Sequence, residues 1–321
     1  CIRDRAWTGD GYIIVWADDR NGMSEVFMQP LDGNGDPRAG AAQVSSGGTG
    51  AVSRPQVAVG DQQFAVVWNR GGSYHFQRVA PDGTLNGPVE SGAVANTLFG
   101  MDFNTFVASD GTNFALLSLA GDDIVYRHIT GGGATTVNEA VAPLAGPGPG
   151  ISWSGTSFGF AWKESNYGKF RTHDGTAFTN SVNATASSAD SAISTWGHNK
   201  FAVASTNTTD TFTASARVQF FDQDGISTGS AGIESNISVG TEGTYMIAFR
   251  PTTTGYDLIR RESGLGQTQY YRYALDTDGA VLSGPTEILE LRNKTVRIVD
   301  NGPALAAIYG SQGAIRFLRL P

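Results

Sequence analysis

Cysteine occurs once in the 321 residues, as Cys1, which rules out a disulfide framework or a cysteine-based zinc site within one chain. Lysine is almost missing too. Lys163, Lys169, Lys200 and Lys294 are the only four, so arginine carries nearly all the positive charge. Acidic residues outnumber basic ones, 30 to 22, for a formal net charge of -8. Such a chain repels phosphate backbones, so nucleic acid is not an expected partner. No apolar run approaches the roughly 18 residues that span a bilayer as a helix. The run Tyr12 to Trp16 reads as one buried strand. Amphipathic helical periodicity is absent throughout.

Catalytic signatures are missing as well. There is no G-x-S-x-G, no H-E-x-x-H, no P-loop, and no G-x-G-x-x-G between strand and helix. The four histidines are His75, His128, His173 and His198. The first three fall on or just after the third strands of separate repeats, where they do not converge on one ion. The expectation is no catalytic residue, no transition metal and no redox cofactor.

What the chain does have is glycine, 42 residues of it, and a repeat. Trp7-Thr8-Gly9-Asp10-Gly11-Tyr12 leads into Val15-Trp16. Trp153-Ser154-Gly155-Thr156-Ser157-Phe158 leads into Ala161-Trp162, and Val59 to Phe64 leads into Val67-Trp68. Each has an apolar residue, a turn rich in Gly, Asp or Ser, an aromatic five positions on, and Trp four later. Weaker copies surround Phe114, Phe201, Tyr245 (Val239 to Phe249) and Ala304-Leu305. That makes seven, spaced by roughly 42 to 60 residues, the range of blade-type repeats.

Each copy continues alike. A polar loop follows the Trp-type strand, then an alternating strand, then an Asp/Gly hairpin turn. Examples of the turn are Asp32-Gly33-Asn34-Gly35-Asp36, Asp82-Gly83, Asp222-Gln223-Asp224-Gly225 and Asp276-Thr277-Asp278-Gly279. The first and third faintly resemble calcium loops but lack the ligand number and the distal carboxylate, so a turn role is expected. A short fourth strand closes the unit, such as Ala42 to Ser45 or Thr286 to Leu289. Four antiparallel strands per repeat make the blade of a propeller. The fold class is therefore all-β, a β-propeller of about seven four-stranded blades, forming one domain over residues 1–321. The last repeat, Thr295 to Leu320, lacks a fourth strand. Trp16, Trp68 and Trp162 recur at one structural position, which argues for packing between blades over sugar stacking.

The run Val15-Trp16-Ala17-Asp18-Asp19-Arg20-Asn21-Gly22, followed by Glu25-Val26-Phe27, resembles the repeats of secreted bacterial propeller proteins. Those pair a VW-x-D-x-R-x-G hairpin with a [DE]-[IV]-[YF] strand. Only the first repeat matches in full. The resemblance implies a propeller fold and an extracellular or bacterial cell-surface setting, and no particular activity. Cys1 has two readings. It is a candidate lipid-attachment residue of a mature lipoprotein, or simply the point where the numbering starts.

The expected function is a non-catalytic extracellular binding or scaffold propeller: an adhesin, a lectin-like module or a subunit of a surface assembly. Its expected partner is a protein or glycan at the cell surface. The alternative is a sialidase-like glycan hydrolase, which needs convergent carboxylates about 5 to 10 Å apart and, as a sialidase, Asp-box repeats that this sequence lacks. Candidate ligand-binding residues lie in the loops between second and third strands, where function concentrates on a rigid scaffold. These are Asp18, Asp19, Arg20, Arg70, Glu164, and a long loop from Arg250 to Gln269 carrying Arg250, Tyr256, Asp257, Arg260, Arg261 and Glu262.

Overall fold

A computed structural model describes residues 2–93, 105–120, 123–143, 150–185, 189–208, 213–238, 243–264, 267–294, 296–300, 305–311 and 314–320. These form six four-stranded sheets and one three-stranded sheet. In every sheet the strands follow chain order, and each pairs antiparallel with the next. Among the described residues the one helical element is a 3₁₀ turn at Leu289–Leu291. The chain divides into two compact units, Cys1–Leu144 with Val296–Pro321, and Ala145–Thr295.

In the first unit, the first sheet comprises Ile2–Trp7, Gly11–Asp18, Glu25–Asp32 and Ala42–Gln43. The second comprises Ser53–Val59, Phe64–Arg70, Ser73–Val79 and Leu85–Ala93. The third comprises Phe106–Ser109, Phe114–Ala120, Asp123–Ile129 and Thr135–Pro143. The three-stranded sheet comprises Val296–Asp300, Leu305–Ser311 and Ala314–Leu320. The second strands Gly11–Asp18, Phe64–Arg70 and Phe114–Ala120 are buried along most of their length, which is why they read as unbroken apolar runs. Ile13 and Val15 pack with Val57, Val66 and Trp68 of the next sheet, while Tyr12, Ile14 and Trp16 pack with Phe27 and Leu31 on the other face. Ala65, Val67 and Phe76 in turn meet Phe114 and Leu116.

In the second unit, the fourth sheet comprises Gly150–Trp153, Phe158–Glu164, Tyr167–His173 and Val182–Asn183. The fifth comprises Ala189–Gly197, Lys200–Thr208, Thr213–Phe221 and Ser227–Ser238. The sixth comprises Gly243–Pro251, Gly255–Gly264, Gln267–Asp276 and Val281–Glu287. Phe170, Phe201, Val203 and Phe221 join the fourth and fifth sheets, and Ala204, Val218, Phe220, Tyr256, Leu258 and Tyr273 join the fifth and sixth. The outer strand of the sixth sheet is exposed: none of the residues of Val281–Glu287 is buried.

The repeat tryptophans do pack. Trp16, Trp68 and Trp162 are buried. Trp7, Trp153 and Trp196 close each first hairpin against Tyr12, Phe158 and Phe201, at ring separations of 4.9, 4.5 and 4.6 Å. The Asp/Gly segments are turns. Asp32, Asp222 and Asp276 each accept two backbone N–H groups of their own turn, so their carboxylates are engaged locally. The backbone N–H groups of Asp36, Asn34 and Gly35 hold Asp32 below the usual carboxylate range. Gly279 takes a left-handed φ of 86° in the last of these turns, and a Cβ there would lie 2.5 Å from Val218. Only glycine lets this turn lie against the fifth sheet.

The sixth repeat departs from the sequence-based expectation. Tyr245 is in the first strand, Gly243–Pro251, and the residue equivalent to Phe158 and Phe201 is Tyr256. The spacing from Tyr245 to Phe249 imitates the repeat one strand too early. The Pro-Thr-Thr-Thr-Gly segment before Tyr256 is the hairpin that Trp7 to Gly11 forms in the first repeat. Its fourth strand is Val281–Glu287 and ends before Leu289, which opens the 3₁₀ turn.

Candidate functional site

Each sheet has two ends. At the turn end lie the first-to-second and third-to-fourth hairpins, and these are tied from sheet to sheet. Gln63 donates to the Gly131 carbonyl, Thr156 to Gln223, Lys200 to Asp278, and Tyr256 to the Gly197 carbonyl. At the loop end lie the second-to-third connections, where ligand residues are expected.

In the first unit, Asp18 accepts the Trp16 indole N–H at 3.1 Å and the Arg20 backbone N–H at 2.8 Å, and it pairs with the Arg20 guanidinium. The Arg20 side chain and these N–H groups hold the Asp18 carboxyl well below its ordinary value. Arg20 lies over Phe27 and Trp16. Asp19 and Arg20 are exposed. Glu164 repeats the Asp18 device in the fourth sheet, accepting the Trp162 indole at 3.2 Å. Arg70 stands where the second sheet needs that acceptor, and the Trp68 indole nitrogen is buried without a hydrogen-bond partner among the described residues. Arg70 turns instead to the first sheet, meeting Glu25 and the Ser24 carbonyl at 2.6 Å each and also the Gly47 carbonyl. Arg70 and Glu25 are both buried. Arg70 is thus a cross-sheet tie and not a loop-tip residue.

In the second unit, the expected loop from Arg250 to Gln269 is mostly strand: it contains Gly255–Gly264, and its residues 265–266 lie outside the described ones. Arg250, Tyr256 and Asp257 sit at the turn end, opposite to the expected face, because Pro251 pairs with Tyr256 across the hairpin. All three are buried. Asp257 receives Arg250 at 2.8 Å on Oδ2 and Arg272 at 3.0 Å on Oδ1, so both of its oxygens are engaged. Arg260, Arg261 and Glu262 lie toward the loop end. Arg260 is 3% exposed, and Arg261 and Glu262 are half-buried. Cys1 lies outside the described residues.

Around Arg260 a site is built from residues that the sequence did not single out. The third and fourth strands of the fifth sheet slip register: Ala216 faces Glu234 while Arg217 faces Gly232, which leaves Ile233 as an inserted residue. A bulge of this kind re-aims side chains. Ile233 packs into the core between the fifth and sixth sheets, and Glu234 reaches the sixth sheet. There Glu234 Oε2 accepts Arg260 Nη2 at 3.2 Å and the Tyr273 hydroxyl, while Arg260 Nε donates to Tyr273 Oη at 3.1 Å. Glu262 pairs with the other Arg260 nitrogen at 3.2 Å, and the guanidinium lies over the Tyr271 ring. Burial pushes the Tyr273 hydroxyl well above its ordinary value, so it stays a donor. A shallow cleft of about 430 Å³ opens here, lined by Ser215, Ala216, Arg217, Gly232, Ile233 and Glu234. The one sequence signal for it is Gly232 inside a long strand, a mark of a bulge.

Chains of known structure resemble this one over nearly its whole length. It matches a Kuenenia stuttgartiensis hydrazine synthase chain with a TM-score of 0.64, covering 99% of this chain and 95% of that one at 11% identity. The WD40 domain of Toxoplasma gondii coronin matches with a TM-score of 0.60, covering 98% and 79% at 12% identity. The Dos1 propeller matches with a TM-score of 0.55, covering 99% and 78% at 9% identity. The fold is a β-propeller. No protein-family model and no curated protein matches the sequence. At these identities the likeness extends to the fold and to nothing catalytic or ligand-specific.

Proposed function

We propose that the protein is a single seven-bladed propeller that binds a partner without catalysis, in an extracellular or bacterial cell-surface setting. Six four-stranded sheets and a seventh of three strands support the blade number. The first-repeat resemblance supports the setting, and lipid attachment through Cys1 belongs to the same proposal. The observation that carries binding is the state of Glu234. One oxygen is anchored by two buried donors, Arg260 and Tyr273. The other has no hydrogen-bond partner among the described residues, on a side chain that lines the cleft. An acceptor group anchored through one oxygen, with the second unmatched among the described residues, is preorganised for a ligand. The exposed Asp19 and Arg20 at the first sheet's loop end, and Glu164 and Glu262 in the second unit, are further contact candidates.

Hydrolysis is the weaker reading. It needs two carboxylates facing one scissile bond, and Glu234 and Glu262 are both bound to the guanidinium of Arg260. A glycan array run beside a panel of chromogenic glycosides tests the proposal. Retention on the array without glycoside turnover is expected. Turnover abolished by replacing Glu234 or Glu262 would overturn it.

A further inference from the structure

The ligand class follows from the chemistry of the cleft, resting on the binding reading above. Glu234 offers one acceptor oxygen that has no partner among the described residues. Arg217 offers guanidinium donors: its one hydrogen bond among the described residues runs from Nη2 to Ser230 Oγ at 3.1 Å. Ser215 adds a hydroxyl that serves as either. Ala216 and Ile233, buried in the core behind, form its apolar floor. Arg217 and Arg260 balance Glu234 and Glu262, so this cluster carries no net charge. The volume lies within the usual range of small-molecule sites, roughly 300 to 1,000 Å³.

A cationic ligand meets Arg217 there, and an anionic one meets Glu234. A ligand that donates and accepts at neighbouring atoms, with no charge and with an apolar C–H face, satisfies every wall. We infer that the cleft between Arg217 and Glu234 takes an uncharged sugar residue. One ring hydroxyl donates to Glu234 Oε1, another accepts from Arg217, and the C–H face lies toward Ile233 and Ala216. Arg260 and Tyr273 are positioning residues that hold Glu234 from behind. An extended peptide fits less well, because the bulge at Ile233 breaks the regular strand edge on which it would pair.

Three variants test this on an array carrying neutral, acidic and amino sugars, with thermal melting as the check on folding. Glu234→Gln keeps a carbonyl for Arg260 and Tyr273 but turns a donor toward the cleft. Arg217→Gln removes the opposing cation. Gly232→Leu fills the cleft without touching either ion pair, since a Cβ at Gly232 meets nothing within 4 Å. The expected result is retention of neutral glycans, weakened about ten- to hundredfold by each variant, the loss of one charge-assisted hydrogen bond or of the space itself. Neutral-glycan binding that survives all three variants overturns the inference while leaving the protein a binding propeller. Selective capture of acidic glycans, or of a protein alone, also overturns it. Glycoside turnover sinks the broader reading instead, and a blank array with no turnover removes the sugar assignment.

Discussion

Two charged clusters involve the sixth sheet, and they differ in one respect. At the turn end, Asp257 is held by Arg250 and Arg272 through both oxygens. Toward the loop end, Glu234 is held by Arg260 and Tyr273 through one oxygen, and the other has no hydrogen-bond partner among the described residues. Each cluster pairs a buried arginine with a carboxylate, and each is assembled across strands. The closed cluster has nothing left to offer a ligand. The open one keeps a fixed acceptor beside a cleft. Charge at a sheet end therefore does not mark function by itself. An unfilled hydrogen-bonding valence on an anchored group does.

The strongest way to break the comparison is at the closed cluster. Asp257→Asn removes the charge that Arg250, 6% exposed, is paired with. Breaking a buried pair from one side costs about 3–5 kcal/mol, so urea unfolding should show a loss of that order, with glycan retention by the remaining folded protein unchanged. Arg70→Met should cost somewhat less. It strands Glu25, but Ser45 still donates to that carboxylate. Glu234→Gln should move stability far less than either, because its carbonyl still accepts from Arg260 and Tyr273, and should instead weaken binding.

Smaller effects sharpen the picture. Burial pushes the hydroxyls of Tyr126, Tyr256 and Tyr273 upward. Unfolding returns them to about 10. Their contribution to stability is therefore complete below about pH 10 and is lost as the pH rises from there toward the folded values. Melting temperature should fall on the alkaline side of about pH 10, and Tyr273→Phe should soften that fall. The edge of the three-stranded sheet gives a further contrast. Ala314–Leu320 pairs with one strand among the described residues, whereas Phe64–Arg70 pairs with two. Amide exchange should be faster in the former. Equal protection would mean that another segment or a partner chain covers that edge.

How legible each feature was depended on how local its cause is. The Asp/Gly turns and the Trp-closed hairpins are set by residues a few positions apart, so Asp32 to Asp36 and Trp7 to Tyr12 were readable directly. The sixth repeat misled because Tyr245 and Phe249 happen to share the spacing of the motif, and a hairpin of three threonines hides the true copy at Tyr256. The site was mostly hidden. Arg260 and Glu262 were singled out for a loop that is in fact strand. Glu234, Arg217 and Tyr273 come together only through a bulge and across two sheets. Arg70 shows the same limit: a charge that follows a Trp-type strand reads as exposed, and only the neighbouring sheet's Glu25 buries it.

The most direct test sets the two clusters side by side in one experiment. Wild type, Asp257→Asn and Glu234→Gln are compared for unfolding free energy and for affinity toward a neutral oligosaccharide retained on the array. A large stability loss with unchanged affinity for Asp257→Asn, and the reverse for Glu234→Gln, is the predicted pattern. If Glu234→Gln unfolds the protein as readily as Asp257→Asn while its folded fraction binds like wild type, Glu234 is a structural ion pair and the account is wrong.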